Sequence, residues 1–392
     1  MASLLLLSER FSPDIGGVAR SAKRIAIALT QLNLSVEVIT WSRYLAPGEL
    51  ASPEILENGK LRVYRLGLYR HWDMTMPQTL NILKQRCDRA GKYDIVWGHY
   101  LFPAGFLAVY FARLHQLPVV VSARGNDIDR LMFPPGDFAR LQWTLQQAAA
   151  VTAVSQDLMQ KIEILSGRSA QLHRNVVDVD VFSPKAASAE KAALKQALGI
   201  QLDEAVLGFS GELREKKGQQ FLLQALVRVQ QVRPACLLII GELRAETQTL
   251  LQTFRTQHPN AAARLVVTGH LETPEQVAQH LRLCDIYLQP SLWDGLPNAL
   301  LEAMACGCFC IASDAGGILD VIESGKQGFI IPGGQLHRLG DAVLEGLAVP
   351  AVEQQRVKAA ARSHICAHYG LEQERAVLTK VLASLQSAES AL

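Results

Sequence analysis

Pro290-Ser291-Leu292-Trp293-Asp294-Gly295-Leu296-Pro297-Asn298-Ala299-Leu300-Leu301-Glu302-Ala303-Met304-Ala305-Cys306-Gly307 is the stretch from which the fold is read. A short apolar strand, 286–289, runs into a Gly/Pro turn, and a helix is predicted to start near Asn298. Two carboxylates, Asp294 and Glu302, lie eight residues apart across that turn. Acidic acceptors beside the unpaired backbone N–H groups of a helix start suit a ligand bearing both hydroxyls and phosphates, as a nucleotide-sugar does. The plain alternative is a strand-turn-helix whose acids only cap and solvate.

Short apolar strands alternate with longer amphipathic helices on either side of this stretch, which argues for parallel α/β layers. In the first half the strand candidates are 3–7, 36–40, 61–66, 95–98, 119–121 and 151–154, with helices near 17–32, 78–90, 103–115 and 138–149. The first helix carries Val18, Ala22, Ile25, Leu29 and Leu32 as a core-facing stripe. Residues 178–195 break the rhythm and read as a linker, with Phe182-Ser183-Pro184 and Ala186-Ala187-Ser188-Ala189, leading into the first helix of a second domain. A second series of strands follows at 206–209, 237–240, 265–268, 286–289, 309–312 and 329–331, and the tail from 371 to 385 is helical with no strand after it. Two Rossmann-like domains, 1–182 and 183–370, are expected, with a ligand cleft at the carboxyl ends of their strands.

Composition agrees with that size. A chain of 392 residues exceeds one ordinary core. Apolar residues at 49% and charged residues at 19% describe a well-packed soluble protein, and a net charge of +2 gives no case for nucleic-acid binding. No apolar run reaches the roughly eighteen residues of a spanning helix. Ala2 to Leu7 is short, lacks a basic flank and meets Ser8-Glu9-Arg10, so it reads as a buried first strand and not as a signal peptide. Seven cysteines, an odd number and several in apolar runs, fit a reduced, cytoplasmic protein. Cys306, Cys308 and Cys310 alternate without a fourth ligand nearby and read as buried thiols, not a metal site.

Two further turns carry chemistry. The first βα turn, 8–17, ends in Gly16-Gly17, where backbone can approach a phosphate and helix-terminal N–H groups point at it. No GxGxxG fingerprint is present, which counts against a dinucleotide cofactor. The second domain opens with Gly208-Phe209-Ser210-Gly211-Glu212-Leu213-Arg214-Glu215-Lys216-Lys217-Gly218, again between a strand and a helix. Basic side chains at a helix start run against the macrodipole, a local cost that marks either an anion site or a solvated charge cluster.

Taken in order, these segments resemble the retaining family-4 glycosyltransferases (glycosyl transferases group 1) over most of the chain. Asp294 and Glu302 match the family's acidic-x7-acidic motif, with Asp where Glu is commoner. Lys217 and Gly218 match its Lys-Gly pair; Glu212 stands where the family has an arginine, and Arg214 is the candidate replacement. Gly16 and Gly17 match its N-terminal phosphate turn, and His99 its histidine after a strand. Arg124-Gly125-Asn126-Asp127 is similar to its His-Gly-x-Asp segment with Arg124 for the histidine, and Asn175-Val176-Val177-Asp178 to its Asn-Gly-Val-Asp entry to the linker.

The resemblance implies the glycosyltransferase B fold, two Rossmann-like domains facing across a cleft, with a last helix (about 371–392) packed back on the first domain. It implies transfer of a sugar from a nucleoside-diphosphate donor to a sugar or glycolipid hydroxyl with anomeric retention, in glycan, polysaccharide or glycolipid synthesis. His99, Asp294 and Lys217 would be catalytic. Gly16, Gly17, Arg214, Lys217, Asp294, Gly295, Leu296, Pro297, Asn298 and Glu302 would hold the donor. Arg124, Asn126 and Asp127 are acceptor-side candidates. Asp127/Asp129 and Asp178/Asp180 are Asp-x-Asp strings of the kind that hold a metal in another glycosyltransferase fold, but the cations and helix ends already supply counter-charge, so no metal or other cofactor is expected. His71-Trp72-Asp73-Met74 and Phe133-Pro134-Pro135 are exposed-loop candidates for acceptor contact. Peripheral contact with the inner face of a membrane stays open, unsupported by a basic amphipathic helix. Two other readings stand beside this one: a nucleotide-sugar epimerase of the same architecture, and a two-domain ligand-binding protein without turnover.

Overall fold

Leu4, Leu5, Leu6 and Leu7 are all fully buried. They lie in β1 (Ser3–Ser8), which pairs in parallel with β2 (Ser35–Ser42) on one side and β5 (Ile95–His99) on the other. A strand covered on both faces reads as an unbroken apolar run, which is why alternation is missing here. The computed structural model describes residues 1–389 other than Lys92 and Ala186. The first sheet is completed by β3 (Glu54–Leu56), β4 (Leu61–Gly67), β6 (Val119–Ala123), β7 (Ala150–Ala153) and β8 (Gln171–Leu172), in the order β3-β4-β2-β1-β5-β6-β7-β8. Only β3 runs antiparallel to its neighbour.

The second sheet holds β9 (Ala205–Ser210), β10 (Ala235–Ile240), β11 (Leu265–Val267), β12 (Ile286–Gln289), β13 (Phe309–Ser313) and β14 (Phe329–Ile331), all parallel, in the order β11-β10-β9-β12-β13-β14. The strand order reverses at β9, so the loops after β9 and β12 flank a topological switch point, the place where open α/β sheets bind ligands.

The predicted long strands and helices are present with ends shifted by a few residues. The edge strands β3 and β8 and the helices Asn126–Leu131 and Gln156–Ser166 were not expected from the sequence. The segment 71–74 is not a loop, although His71, Asp73 and Met74 are exposed. Trp72 opens the helix Trp72–Ala90, and its ring packs edge-on against Trp41 at 5.2 Å and Phe102 at 6.5 Å. Phe133 is exposed, as a loop residue should be.

The chain divides into two compact units, residues 1–175 with the tail from Glu372, and Val176–Leu371. The first therefore ends at Asn175, earlier than the expected 182. Hydrogen bonds explain the difference: Arg362 donates to the carbonyls of Val179 and Phe182, Arg282 donates to those of Val181 and Ser183, and the Val177 N–H donates to Tyr369. The connecting segment is thereby bound into the second unit. No helix among the described residues is long and apolar enough to cross a membrane.

The last helix, Leu371–Glu389, buries Leu378, Val381 and Leu385 in the same core as Leu4, Leu6, Ile25 and Val36. Glu374 anchors it. Its carboxylate accepts from Arg24 Nε at 3.0 and 2.9 Å and lies 3.5 Å from His173 Nε2, with 1% side-chain exposure. Burial raises its pKa, but Arg24 and His173 outweigh that and hold it at about 2, against an ordinary 4.5. The folded pKa is depressed, so its stabilisation is complete above pH 4.5 and lost as pH falls toward 2. Glu374→Ala is expected to cost about 2–3 kcal/mol, because it leaves a half-buried guanidinium without its carboxylate. Urea unfolding from pH 7 down to pH 3 checks both: wild-type stability should fall below pH 4.5, and Glu374→Gln should flatten that limb.

Candidate active site

The centre of the second unit's site is a directed chain of hydrogen bonds. Tyr287 Oη donates to Gln289 Oε1 (3.0 Å), Gln289 Nε2 donates to Ser291 Oγ (2.9 Å), and Ser291 Oγ donates to Asp294 Oδ2 (3.3 Å). Tyr287, Gln289 and Ser291 are buried. Every donor points toward Asp294, which also accepts from Lys217 Nζ. The β9 and β12 loops meet here because Gly218, in the left-handed region at φ +72°, packs on Pro290: a Cβ would overlap the Pro290 carbonyl oxygen. The Leu292 N–H donates to the Lys216 carbonyl at 2.8 Å and closes the junction. Gly295, Leu296 and Pro297 form a buried turn, and the helix Asn298–Ala305 follows with Glu302 one turn in, only 5% exposed.

Arg214 does not stand alone. Its Nη2 pairs with Glu212 Oε2, while Arg244 donates to Glu212 Oε1 through Nε (3.0 Å) and Nη2 (2.7 Å). The expected cation and the anomalous acid are thus partners, and a second arginine joins them. Sequence reasoning missed Arg244, Gln289, Ser291 and Tyr287. A glutamine inside an otherwise apolar buried strand was the available signal for Gln289, since buried amides need partners.

In the first unit, Gly16 takes φ +136° ahead of the helix Gly17–Gln31, with open space where a Cβ would project. On that helix Ser21 Oγ donates to the Val18 carbonyl at 3.0 Å and meets His99 Nε2 at 2.8 Å. With its one proton assigned to the Val18 carbonyl, Ser21 accepts from His99. The proton is therefore assigned to Nε2, and Nδ1 is left as a bare acceptor without a partner among the described residues. Burial, then the charges of Arg124, His173 and Arg24, lower the His99 pKa, so the ring is neutral.

Of the acceptor-side candidates, Asp127 is buried in the first unit and Arg124 is half-buried. Asp127 is 1% exposed and accepts from the backbone N–H groups of Leu101 (3.1 Å), Arg124 (3.0 and 3.1 Å) and Gly125 (2.8 Å). Burial raises its pKa to about 6 despite those amides. It clamps the loops after β5 and β6 together instead of presenting an exposed acid. Arg124 donates to the His173 carbonyl (3.3 Å) and to Asn175 Oδ1. The side chain of Asn126 lies outside the described residues. Asp129 pairs with Lys161 at 2.9 Å, and Asp178 Oδ1 accepts from the N–H groups of Asp180 and Val181. Among the described residues no three His, Cys, Asp or Glu side chains are grouped to hold a metal ion. Cys306, Cys308 and Cys310 are buried free thiols whose pKa values burial pushes up.

Two parallel Rossmann-like sheets with charged loops at a switch point define the glycosyltransferase B fold class. Solved structures agree: sucrose-phosphate synthase from Thermosynechococcus elongatus has TM-score 0.80 at 18% identity over 99% of this chain and 100% of that one. Anabaena Alr3699/HepE in complex with UDP-glucose has TM-score 0.80 at 18% identity over 98% and 100%. Residues 204–348 match the family described as glycosyl transferases group 1, and residues 16–176 match the glycosyl transferase 4-like domain. The chain belongs to this glycosyltransferase family. Among characterised relatives it is 27% identical over 337 residues to N-acetyl-alpha-D-glucosaminyl L-malate synthase of Bacillus anthracis, covering 85% of each chain. It is 26% identical over 306 residues to the GDP-mannose-dependent monoacylated alpha-(1-6)-phosphatidylinositol monomannoside mannosyltransferase of Corynebacterium glutamicum, covering 76% of this chain and 78% of that one.

Gln289→Leu is expected to destabilise the second unit by about 1–3 kcal/mol, because Tyr287 and Ser291 each lose a buried partner. It should also lower turnover, since Asp294 loses the residue that orients Ser291. Denaturant midpoints and steady-state rates check the two effects separately.

Proposed function

We propose that this glycosyltransferase moves a hexose-type sugar from a nucleoside-diphosphate donor to an acceptor hydroxyl with retention of anomeric configuration. The observation that carries the reading is the Lys217–Asp294 pair at the switch point of the second sheet, with Glu302 in the helix that follows. The reaction develops positive charge at the anomeric carbon and negative charge on the departing diphosphate. Lys217 and Arg214 meet the second charge with side-chain donors, and the Gly16-Gly17 amides of the first unit are a further set of donors suited to phosphate. Asp294 accepts from donor sugar hydroxyls, with turn amides at Gly295 to Asn298 assisting, and Glu302 accepts from ribose hydroxyls. His99, neutral and with Nδ1 bare, accepts from a donor sugar hydroxyl. The leaving phosphate oxygen takes the acceptor proton on the same face, so no separate base is assigned. Counter-charge from the side chains gives the reading no need of a metal.

The relatives' names support both uridine- and guanosine-diphosphate donors. A screen of both donor classes against sugar and glycolipid acceptors, with mass detection, proton NMR of the new anomeric centre and parallel runs in EDTA, tests the proposal. A larger glycoside with the donor's configuration supports it. An isomerised nucleotide-sugar without transfer makes the protein an epimerase, and loss of turnover restored by manganese or magnesium returns a metal to the chemistry.

Glu302→Ala and Lys217→Ala are each expected to weaken nucleoside-diphosphate binding roughly ten- to a hundredfold, the effect of a lost charged hydrogen bond worth about 1.5–3 kcal/mol. Lys216→Ala should weaken it less. Calorimetric titration ranks the three, and unchanged affinity in folded Glu302→Ala would remove that residue from the site.

His99→Ala should lower kcat with little change in KM, as expected for a contact that strengthens in the transition state. Wild-type kcat would leave His99 a structural partner of Ser21, and a rise in KM alone would make it a ground-state contact.

A further inference from the structure

Glu212 is the one acid in the second unit's phosphate loop that departs from the family pattern, and the structure shows what surrounds it. The loops after β9 and β10 are locked together: the Gly211 N–H donates to the Ile240 carbonyl at 2.9 Å, and Thr247 Oγ1 donates to the Leu213 carbonyl at 2.8 Å. Gly241, at φ +149°, lies so close that a Cβ would stand 2.6 Å from the Gly211 oxygen. This packing delivers Arg244, the residue before the helix Ala245–Gln257, to Glu212. One carboxylate then holds two guanidiniums, Arg244 on Oε1 and Arg214 on Oε2.

We propose that Arg244 is a further donor-phosphate residue, that Glu212 is the positioning residue fixing Arg214 and Arg244 side by side, and that the pair replaces a single arginine. The proposal rests on the nucleoside-diphosphate reading above. Charge supports it: two guanidiniums and one carboxylate leave the net +1 that one arginine would give. Geometry supports it as well. Arg244 uses Nε and Nη2 on Glu212, so Nη1 keeps both its donors for a phosphate oxygen. Stability does not account for the cluster. The side chains of Glu212, Arg214 and Arg244 are 26%, 34% and 36% exposed, a range in which ion pairs add little. The backbone and Thr247 already hold the two loops together.

The test is calorimetry on the full chain with UDP, UMP, GDP and GMP as probes. In wild type the diphosphate of the preferred base should bind more tightly than its monophosphate. Arg244→Ala should shrink that diphosphate-over-monophosphate ratio about tenfold or more, and Arg244→Gln should do the same if the alanine variant folds poorly. Glu212→Gln should change the ratio in wild type but hardly at all in an Arg214→Ala/Arg244→Ala background, because its effect runs through that pair. An unchanged ratio in both Arg244 variants, with Lys217→Ala still weakening binding, overturns the proposal and leaves the donor reading standing. Equal effects of Glu212→Gln in both backgrounds overturn its positioning role. Absence of nucleoside-diphosphate binding by the wild type overturns the reading and the proposal together.

Discussion

Gly218 against the Pro290 carbonyl is the contact on which the second unit's site depends. Any side chain there would push the β9 loop off the β12 loop. With hydrogen at that position, the Lys216 carbonyl reaches the Leu292 N–H and Lys217 reaches Asp294. The buried Tyr287–Gln289–Ser291 chain then fixes the acid from behind, so both ends of the pair are set by backbone and core and not by long free side chains. Preorganisation of this kind lets a site act on charge without reorganising at the moment of reaction.

Lys217, Arg214 and Arg244 each have a carboxylate partner within the protein. On the proposed function, a diphosphate entering this region would exchange partners. Lys217 can turn from Asp294 to phosphate while Asp294 turns to a sugar hydroxyl, so one ligand with both groups satisfies both halves of the pair. A simple phosphate satisfies only the cation and leaves the acid with a partner to lose. The same logic at Glu212 holds two guanidiniums close together despite their repulsion, something a single acid between them makes tolerable.

Much of this was legible in the sequence, for identifiable reasons. The parallel sheets follow from continuous apolar runs such as Leu4–Leu7, and the switch-point loops from glycines at strand ends. Edge strands β3 and β8 were not legible: they are two or three residues long and not fully buried, so no hydrophobic pattern marks them. The segment 71–74 was expected in a loop because its polar residues hide the helix start, and the Trp41 and Phe102 rings that Trp72 packs against come from elsewhere in the chain. Lys217, Asp294 and Glu302 were candidates through the motifs they share with the family, and the structure pairs the first two. Arg244 could not, because its link to Glu212 spans 32 residues and exists only once β9 and β10 are paired.

The first unit shows how a remote segment conditions a site residue. Ser21 and Arg24 lie one turn apart on the helix that Gly16 and Gly17 introduce. Ser21 fixes the tautomer of His99, and Arg24 is among the charges that disfavour its protonation. Arg24 is in turn neutralised by Glu374 from the last helix, some 350 residues along the chain. Without that acid, the half-buried Arg24 guanidinium would lose its carboxylate on the helix that carries Ser21. The return of the tail to the first core is therefore more than coverage of apolar surface: it balances the charge on the helix that positions His99.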